Sequence, residues 1–195
     1  MMEFLRGKII ILTAPSGSGK TTIARYLLNQ FKELSFSISA TTRLARKDEI
    51  NGLNYFFYTH SEFNTAIENH KFFEYQEVYP GQYYGTLVNE VERIWDENKI
   101  ALFDIDVKGA HFIESKFKEN ILSIYVKASS LEVLRQRLLL RGTETPESLE
   151  RRIQKASTEL EYAKNFDYVI SNDKLSLAQD VISTIVKDFI LTPLK

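Results

Sequence analysis

Ala14-Pro15-Ser16-Gly17-Ser18-Gly19-Lys20-Thr21 has the make-up of a loop that cradles phosphate. Glycines let successive backbone N–H groups turn inward around phosphate oxygens, and a helix that begins where the loop ends adds favourable partial charge. In the pattern G-x-x-x-x-G-K-[ST] the lysine reaches the β- and γ-phosphates and the hydroxyl ligates Mg²⁺. Those roles fall on Lys20 and Thr21, with Thr22 next along the chain. The first glycine of the pattern is replaced by Ala14, which keeps the turn provided its φ is negative.

Other residues suit the same chemistry. Arg43 and Arg46 follow Ser39-Ala40-Thr41-Thr42, Arg137 and Arg141 are four apart, and Arg152 lies beyond Gly142-Thr143-Glu144. The planar guanidinium grips phosphate oxygens and stays charged. The apolar run Ala101-Leu102-Phe103 ends in Asp104-Ile105-Asp106. Carboxylates at the C-terminal end of a strand face the crevice where open α/β sheets bind ligands, and these two could orient Mg²⁺ waters or a substrate. His60, His70 and His111 are scattered and show no ligand spacing. None is needed as a base if the acceptor is a phosphate monoester, whose second pKa of about 6 makes it an anionic nucleophile near neutral pH.

The elements that must hold these residues are legible as a rhythm. Lys8 to Thr13, Ile100 to Phe103 and Ile121 to Val126 are apolar runs without alternation, the pattern of buried parallel strands. Helical segments follow: Thr21 to Phe31, a helix to Leu140 opened by the capping pattern Ser129-Ser130-Leu131-Glu132, and a polar helix to about Lys164 opened by Thr145-Pro146. Tyr168 to Ser171 reads as a last strand and Leu175 to Ile190 as a last helix. Strand alternating with helix implies a parallel sheet covered on both faces. Between Tyr55 and Tyr84, where eleven of the 24 aromatic residues fall, the rhythm breaks, and short aromatic strands with a small helix from about Ser61 to Asn69 are expected. The fold class is therefore α/β, with a core of residues 1–39 and 89–195 and an inserted mixed lobe of residues 40–88.

Composition narrows the function. The 195 residues carry 25 basic and 26 acidic side chains, a net charge of −1, which lacks the basic footprint of a general nucleic-acid binder. The absence of cysteine excludes disulfides, a thiol nucleophile and thiolate zinc sites. The first apolar run, Ile9-Ile10-Ile11-Leu12, is too short for a signal-peptide core or a membrane span, so a cytoplasmic protein without a membrane partner is expected. A GTPase would explain the D-x-x-G of Asp106-Val107-Lys108-Gly109 but requires N-K-x-D, whereas Ser171-Asn172-Asp173-Lys174 has another order.

The chain resembles the guanylate kinases from about Gly7 to Ile190. The resemblance rests on the loop 14–21, on Ser39-Ala40-Thr41-Thr42-Arg43 with Arg46, on Asn51-Gly52-Leu53-Asn54-Tyr55, on Phe73-Glu74, on Tyr83-Tyr84-Gly85-Thr86, on Asp104-Ile105-Asp106 with Gly109, and on Arg141-Gly142-Thr143-Glu144. It implies a P-loop core, a GMP-binding lobe matching the aromatic insert, and a helical lid around residues 137–152. It also implies an Mg²⁺-dependent transfer from ATP to GMP, with dGMP as a further acceptor. By position, Arg43, Arg46, Tyr55 and Tyr84 would hold the GMP phosphate, and Glu74 and Thr86 would read the guanine with Ser39 and Asp104 beside them. Ala14 to Thr22 would bind ATP, Lys20, Arg137, Arg141 and Arg152 would attend its phosphates, and Asn172 would lie near the adenine. Around Val78-Tyr79-Pro80-Gly81 the loop is about a residue longer than in some relatives.

The rivals are a kinase for another nucleotide, which Glu74 and Thr86 oppose, and a non-enzymatic binding module of the same fold. Such a module would have a damaged loop and additional adaptor domains, whereas Gly19-Lys20-Thr21 and the arginines are present and the resemblance takes up nearly all of the chain. A homo-oligomer is compatible with the sequence but not readable from it.

Overall fold

A computed structural model describes residues 6–117, 119–140, 142 and 145–195. Five parallel strands form the main sheet: β1 (Ile9–Thr13), β2 (Leu34–Phe36), β7 (Ile100–Asp104), β8 (Ile121–Lys127) and β9 (Tyr168–Ser171), in the order β2-β7-β1-β8-β9. Every residue of β1 is buried because the strand feeds two cores. Ile10 and Leu12 pack with Ile23 and Leu27 of α1 (Lys20–Gln30) and Ile182 and Val186 of α7 (Leu175–Leu191). Ile9 and Ile11 pack on the opposite face with Ile94 of α3 (Val88–Asp96) and Ile113 of α4 (Val107–Lys116). A strand buried on both sides cannot alternate polar with apolar, which is why its sequence does not.

The chain runs from β7 on one side of β1 to β8 on the other, so the carboxyl ends of these strands open on a crevice at the switch of direction. Lys8, just before β1, is buried and reaches the end of α7, where its Nζ donates to Phe189 O (2.7 Å), Ile190 O (3.0 Å) and Thr192 O. These carbonyls lie at the end of α7 and beyond it, where the helical ladder no longer supplies each with an i+4 donor. Lys8→Met should therefore lower the unfolding free energy in urea by about 2 kcal/mol; a loss under about 0.5 kcal/mol would show that water replaces the ammonium there.

A second, mixed sheet has the order β4-β3-β6-β5, formed by β3 (Ser39–Thr41), β4 (Phe56–Phe57), β5 (Phe72–Tyr79) and β6 (Gln82–Leu87). It packs on α2 (His60–Glu68), where Phe63 is fully buried and stacks on Phe72 at 4.4 Å between ring centroids. The helix begins a residue earlier than expected because Thr59 and Glu62 close a reciprocal capping box. β5 is eight residues long rather than short, since its antiparallel pairing with β6 continues as far as Tyr79 opposite Gln82.

The remaining helices are α5 (Leu131–Leu140) and α6 (Pro146–Tyr162), packed through Leu134, Leu138, Leu149 and Ile153. Thr145 caps α6, as expected, its Oγ1 accepting from Ser148 N at 3.2 Å. The cap of α5 differs. Ser130, not Ser129, accepts from the backbone, from Val133 N at 3.2 Å, while Ser129 N donates to Asp173 Oδ1. Asp173 thus holds Ser129 one residue too far from the helix to cap it.

Candidate active site

The loop 14–21 leaves β1 and enters α1, as its sequence requires. Ser18 N donates back to Pro15 O at 3.1 Å, and Gly19 lies at φ +90°, a conformation L side chains rarely adopt. A Cβ on Gly19 would also meet Asn172 Nδ2 at 2.3 Å. Ala14 is not among the residues with positive φ, so the small residue at the pattern's first position satisfies the turn. Thr21 and Thr22 are exposed at the start of α1, while Ser18 is buried.

Two adjoining cavities open beside this loop. The smaller, about 120 Å³, is lined by Ser39, Glu74, Gln76 and Ile105, and the larger, about 460 Å³, by loop residues with Arg43, Arg46, Arg152 and Lys155. They share Lys20, Tyr55, Val78, Tyr84, Asp104 and Asp106 as a common wall. One therefore ends in a buried carboxylate and the other is rimmed with cations, and Lys20 stands between them.

Glu74 is 4% exposed. Its Oε1 accepts from both donors of Thr86, the backbone N–H at 3.1 Å and the hydroxyl at 2.8 Å. Oε2 faces the first turn of α4, where a Cβ on Gly109 would come within 2.7 Å of it. Gly109 is thus glycine because a carboxylate lies against it, and its N–H donates to Asp106 Oδ1 at 2.9 Å to cap the helix. Burial pushes the Glu74 carboxyl up to about 7, with Asp106 adding to the rise and the Thr86 bonds opposing it. Ser39, also buried, pairs opposite Thr86 across β3 and β6.

Lys20 forms an ion pair with Asp104 and donates to Ile105 O at 3.3 Å. Burial pulls its ammonium down, yet the Asp104 carboxylate, with Tyr55 and Glu159 adding, more than offsets this and leaves it above the ordinary lysine value. Arg43 makes a two-pronged bond to Glu49, both contacts 2.8 Å, and lies 5.3 Å over the Tyr55 ring, which meets Tyr84 edge-on at 6.0 Å. Glu49 also accepts from Arg46 N at 2.8 Å, while the Arg46 side chain extends to solvent. Arg152 donates to Ser16 Oγ of the loop and to Tyr79 OH at 3.4 Å.

Two of the expected residues support the loop from behind. Asn172 donates through Nδ2 to Ser18 O at 2.8 Å, and its own backbone carbonyl accepts from Arg137 at 2.8 Å. Arg137 does not line either cavity. Arg141 lies outside the described residues.

Lys155 and Glu159 were not legible as site residues. Lys155 lies 3.7 Å from Asp106 Oδ2 and 3.4 Å from Glu159 Oε1, and both residues line the larger cavity. Burial raises the Glu159 carboxyl, with Lys155 opposing and Asp106 adding to the shift. The available signal was spacing: Arg152, Lys155 and Glu159 fall on one helical face.

Loops of this build, set at the carboxyl edge of a parallel sheet, define the P-loop class of nucleotide-binding proteins, and the chain is of that class. The family model for guanylate kinase matches residues 6–189. A guanylate kinase of Bacteroides thetaiotaomicron is 48% identical over 186 residues, 95% of this chain and 91% of that protein. One from Porphyromonas gingivalis is 45% identical over 184 residues, 94% of this chain and 98% of that protein. The crystal structure of guanylate kinase from Anaplasma phagocytophilum superposes with a TM-score of 0.78 at 31% identity, covering 95% of this chain and 87% of that one. The chain belongs to the guanylate kinase family. Among the described residues, no helix is long and apolar enough to cross a membrane.

Proposed function

We propose that this chain transfers the γ-phosphoryl group of ATP to GMP, giving ADP and GDP, as a cytoplasmic enzyme of purine nucleotide metabolism. One observation carries the reading: a buried carboxylate, Glu74, terminates a cavity that opens on Lys20. Guanine presents N1–H and its exocyclic amine as neighbouring donors, and a carboxylate accepts from both. Adenine has an unprotonated N1 on that edge and would leave Glu74 desolvated and unpaired, a mismatch that costs up to roughly 10⁴-fold in sites of this type. For Thr86 to donate to guanine O6, its hydroxyl would turn away from Glu74 Oε1, where it now points.

With the base so placed, Arg43, Arg46, Tyr55 and Tyr84 would hold the GMP phosphate at the joint between the cavities. The loop 14–21 with Thr22 would bind the ATP phosphates, and Asn172 would support the adenine end. A phosphate oxygen of GMP forms the new bond to the γ-phosphorus as the bond to the β–γ bridging oxygen breaks. Lys20 and Arg152 would neutralise the charge spread over the transferring group, while Arg137 would act through Asn172, whose carbonyl it holds. The acceptor is already anionic, so no side chain need take a proton.

The residues fit Mg²⁺ as an ion that arrives with ATP. Thr21 and the carboxylates of Asp104 and Asp106 are the oxygen donors at the loop, and no cluster of three acidic or histidine ligands occurs among the described residues. That is the donor set of an ion held chiefly by substrate phosphates, whose charge it would screen. The test is ADP release with Mg²⁺-ATP and GMP, dGMP, AMP or UMP as acceptor. Turnover with GMP and dGMP at rates far above AMP and UMP is expected; equal turnover with AMP would overturn the base assignment.

A further inference from the structure

The turn after β5 carries a contact at the wall of the larger cavity to which no role in binding phosphate or base has been given. Pro80-Gly81 closes the hairpin between β5 and β6, and Gly81 N donates to Glu77 Oε1 at 2.7 Å. Tyr79, at the last position of β5, is thereby held facing α6. Two cations three residues apart on that helix meet its ring: Lys155 Nζ is 4.7 Å and the Arg152 guanidinium carbon 5.5 Å from the centroid. Both lie within cation–π range. Lys155 also donates to Val78 O at 3.3 Å, so helix and hairpin are joined through side chain and backbone together. On its other side Arg152 reaches Ser16 of the phosphate loop.

We propose that Tyr79 and Lys155 are positioning residues. They latch α6 to the β5–β6 hairpin and so fix Arg152 over the phosphate loop, coupling the sheet that carries Glu74 to a cation that touches the loop at Ser16. The proposal rests on the phosphotransfer reading above. It predicts an effect on the transfer step rather than on base recognition, because both residues line the larger cavity and neither lines the smaller.

Three variants test it: Tyr79→Leu, Tyr79→Phe and Lys155→Met, each checked for an unaltered thermal melt. Tyr79→Leu keeps apolar bulk but loses the ring face, and should lower kcat about 10-fold with KM for GMP within about twofold. Tyr79→Phe keeps the ring and should restore most of that rate, while Lys155→Met should resemble Tyr79→Leu. Amide hydrogen exchange of α6 in the nucleotide-free protein should quicken in Tyr79→Leu and not in Tyr79→Phe. Undiminished kcat in Tyr79→Leu, or unchanged exchange in α6, would overturn the latch. Equal impairment of Tyr79→Phe and Tyr79→Leu would also overturn it, by moving the effect to the hydroxyl. If the wild type did not phosphorylate GMP, the phosphotransfer reading would fall, and the exchange comparison would decide the latch by itself.

Discussion

Replacing Lys20 with methionine should lower kcat for GMP phosphorylation by about 10²- to 10³-fold, the loss expected when one fixed charge facing a transition state is removed. Methionine keeps the unbranched stem, so packing against the loop is retained. KM for GMP should move little, because Glu74, Arg43 and Tyr55 stay in place. The substitution also leaves Asp104 without its ion pair. For that reason the double variant Lys20→Met/Asp104→Asn belongs in the same series: it removes the stranded carboxylate and should recover stability but not rate. Steady-state kinetics with a parallel melting curve separate the two effects. A kcat within about threefold of wild type would remove Lys20 from the chemistry altogether.

Glu74→Gln should raise KM for GMP by about 10²-fold, since an amide cannot accept from two neighbouring donors as a carboxylate does. The dependence on pH makes this test more specific. To receive guanine as proposed, Glu74 has to be ionised, yet burial holds its carboxyl near 7 in the free protein. KM for GMP in the wild type should therefore climb as pH falls below about 7, over and above the titration of the GMP phosphate, which both proteins share. In Glu74→Gln only the phosphate part should remain. Stability should change in the opposite sense. A carboxyl whose folded value is raised binds its proton more tightly in the native state. Its contribution is fully present below its ordinary value of 4.5 and is lost as pH rises towards 7. Any stability advantage of the glutamine variant at pH 8 should therefore shrink as pH falls. Matching pH profiles of KM in the two proteins would mean that Glu74 does not meet the base.

How far the sequence discloses this site depends on whether the determining contacts are local. The loop 14–21 is legible because strand, glycines, lysine and helix are consecutive, and the geometry at Gly19 follows from them. The cap at Thr145 is legible for the same reason. Ser129 shows where local reading stops: its sequence pattern is a capping box, but Asp173, 44 residues away, takes its N–H and the cap passes to Ser130. The strands β2 and β3, three residues each, are too short to give a periodic signal, and their partners are supplied by β7 and β6. Glu74 was visible only through the family motif. By itself it is a glutamate in an aromatic strand, and only folding sets it against Gly109. The longer turn at Val78-Tyr79-Pro80-Gly81 was visible as a departure in length, whereas its contact with Lys155 is a tertiary fact.

If the carboxylate-ended cavity and the cation-rimmed cavity are two halves of a single phosphotransfer site, the γ-phosphoryl group must pass directly from ATP to GMP. A single-turnover experiment with ATP labelled at the γ-phosphate, Mg²⁺ and GMP, with products separated by chromatography, tests it directly. The label should appear in GDP, in step with the loss of ATP and with little released as inorganic phosphate. Label released to inorganic phosphate, or retained in ATP while GMP is bound, would contradict it, because the two cavities would then not hold donor and acceptor in line.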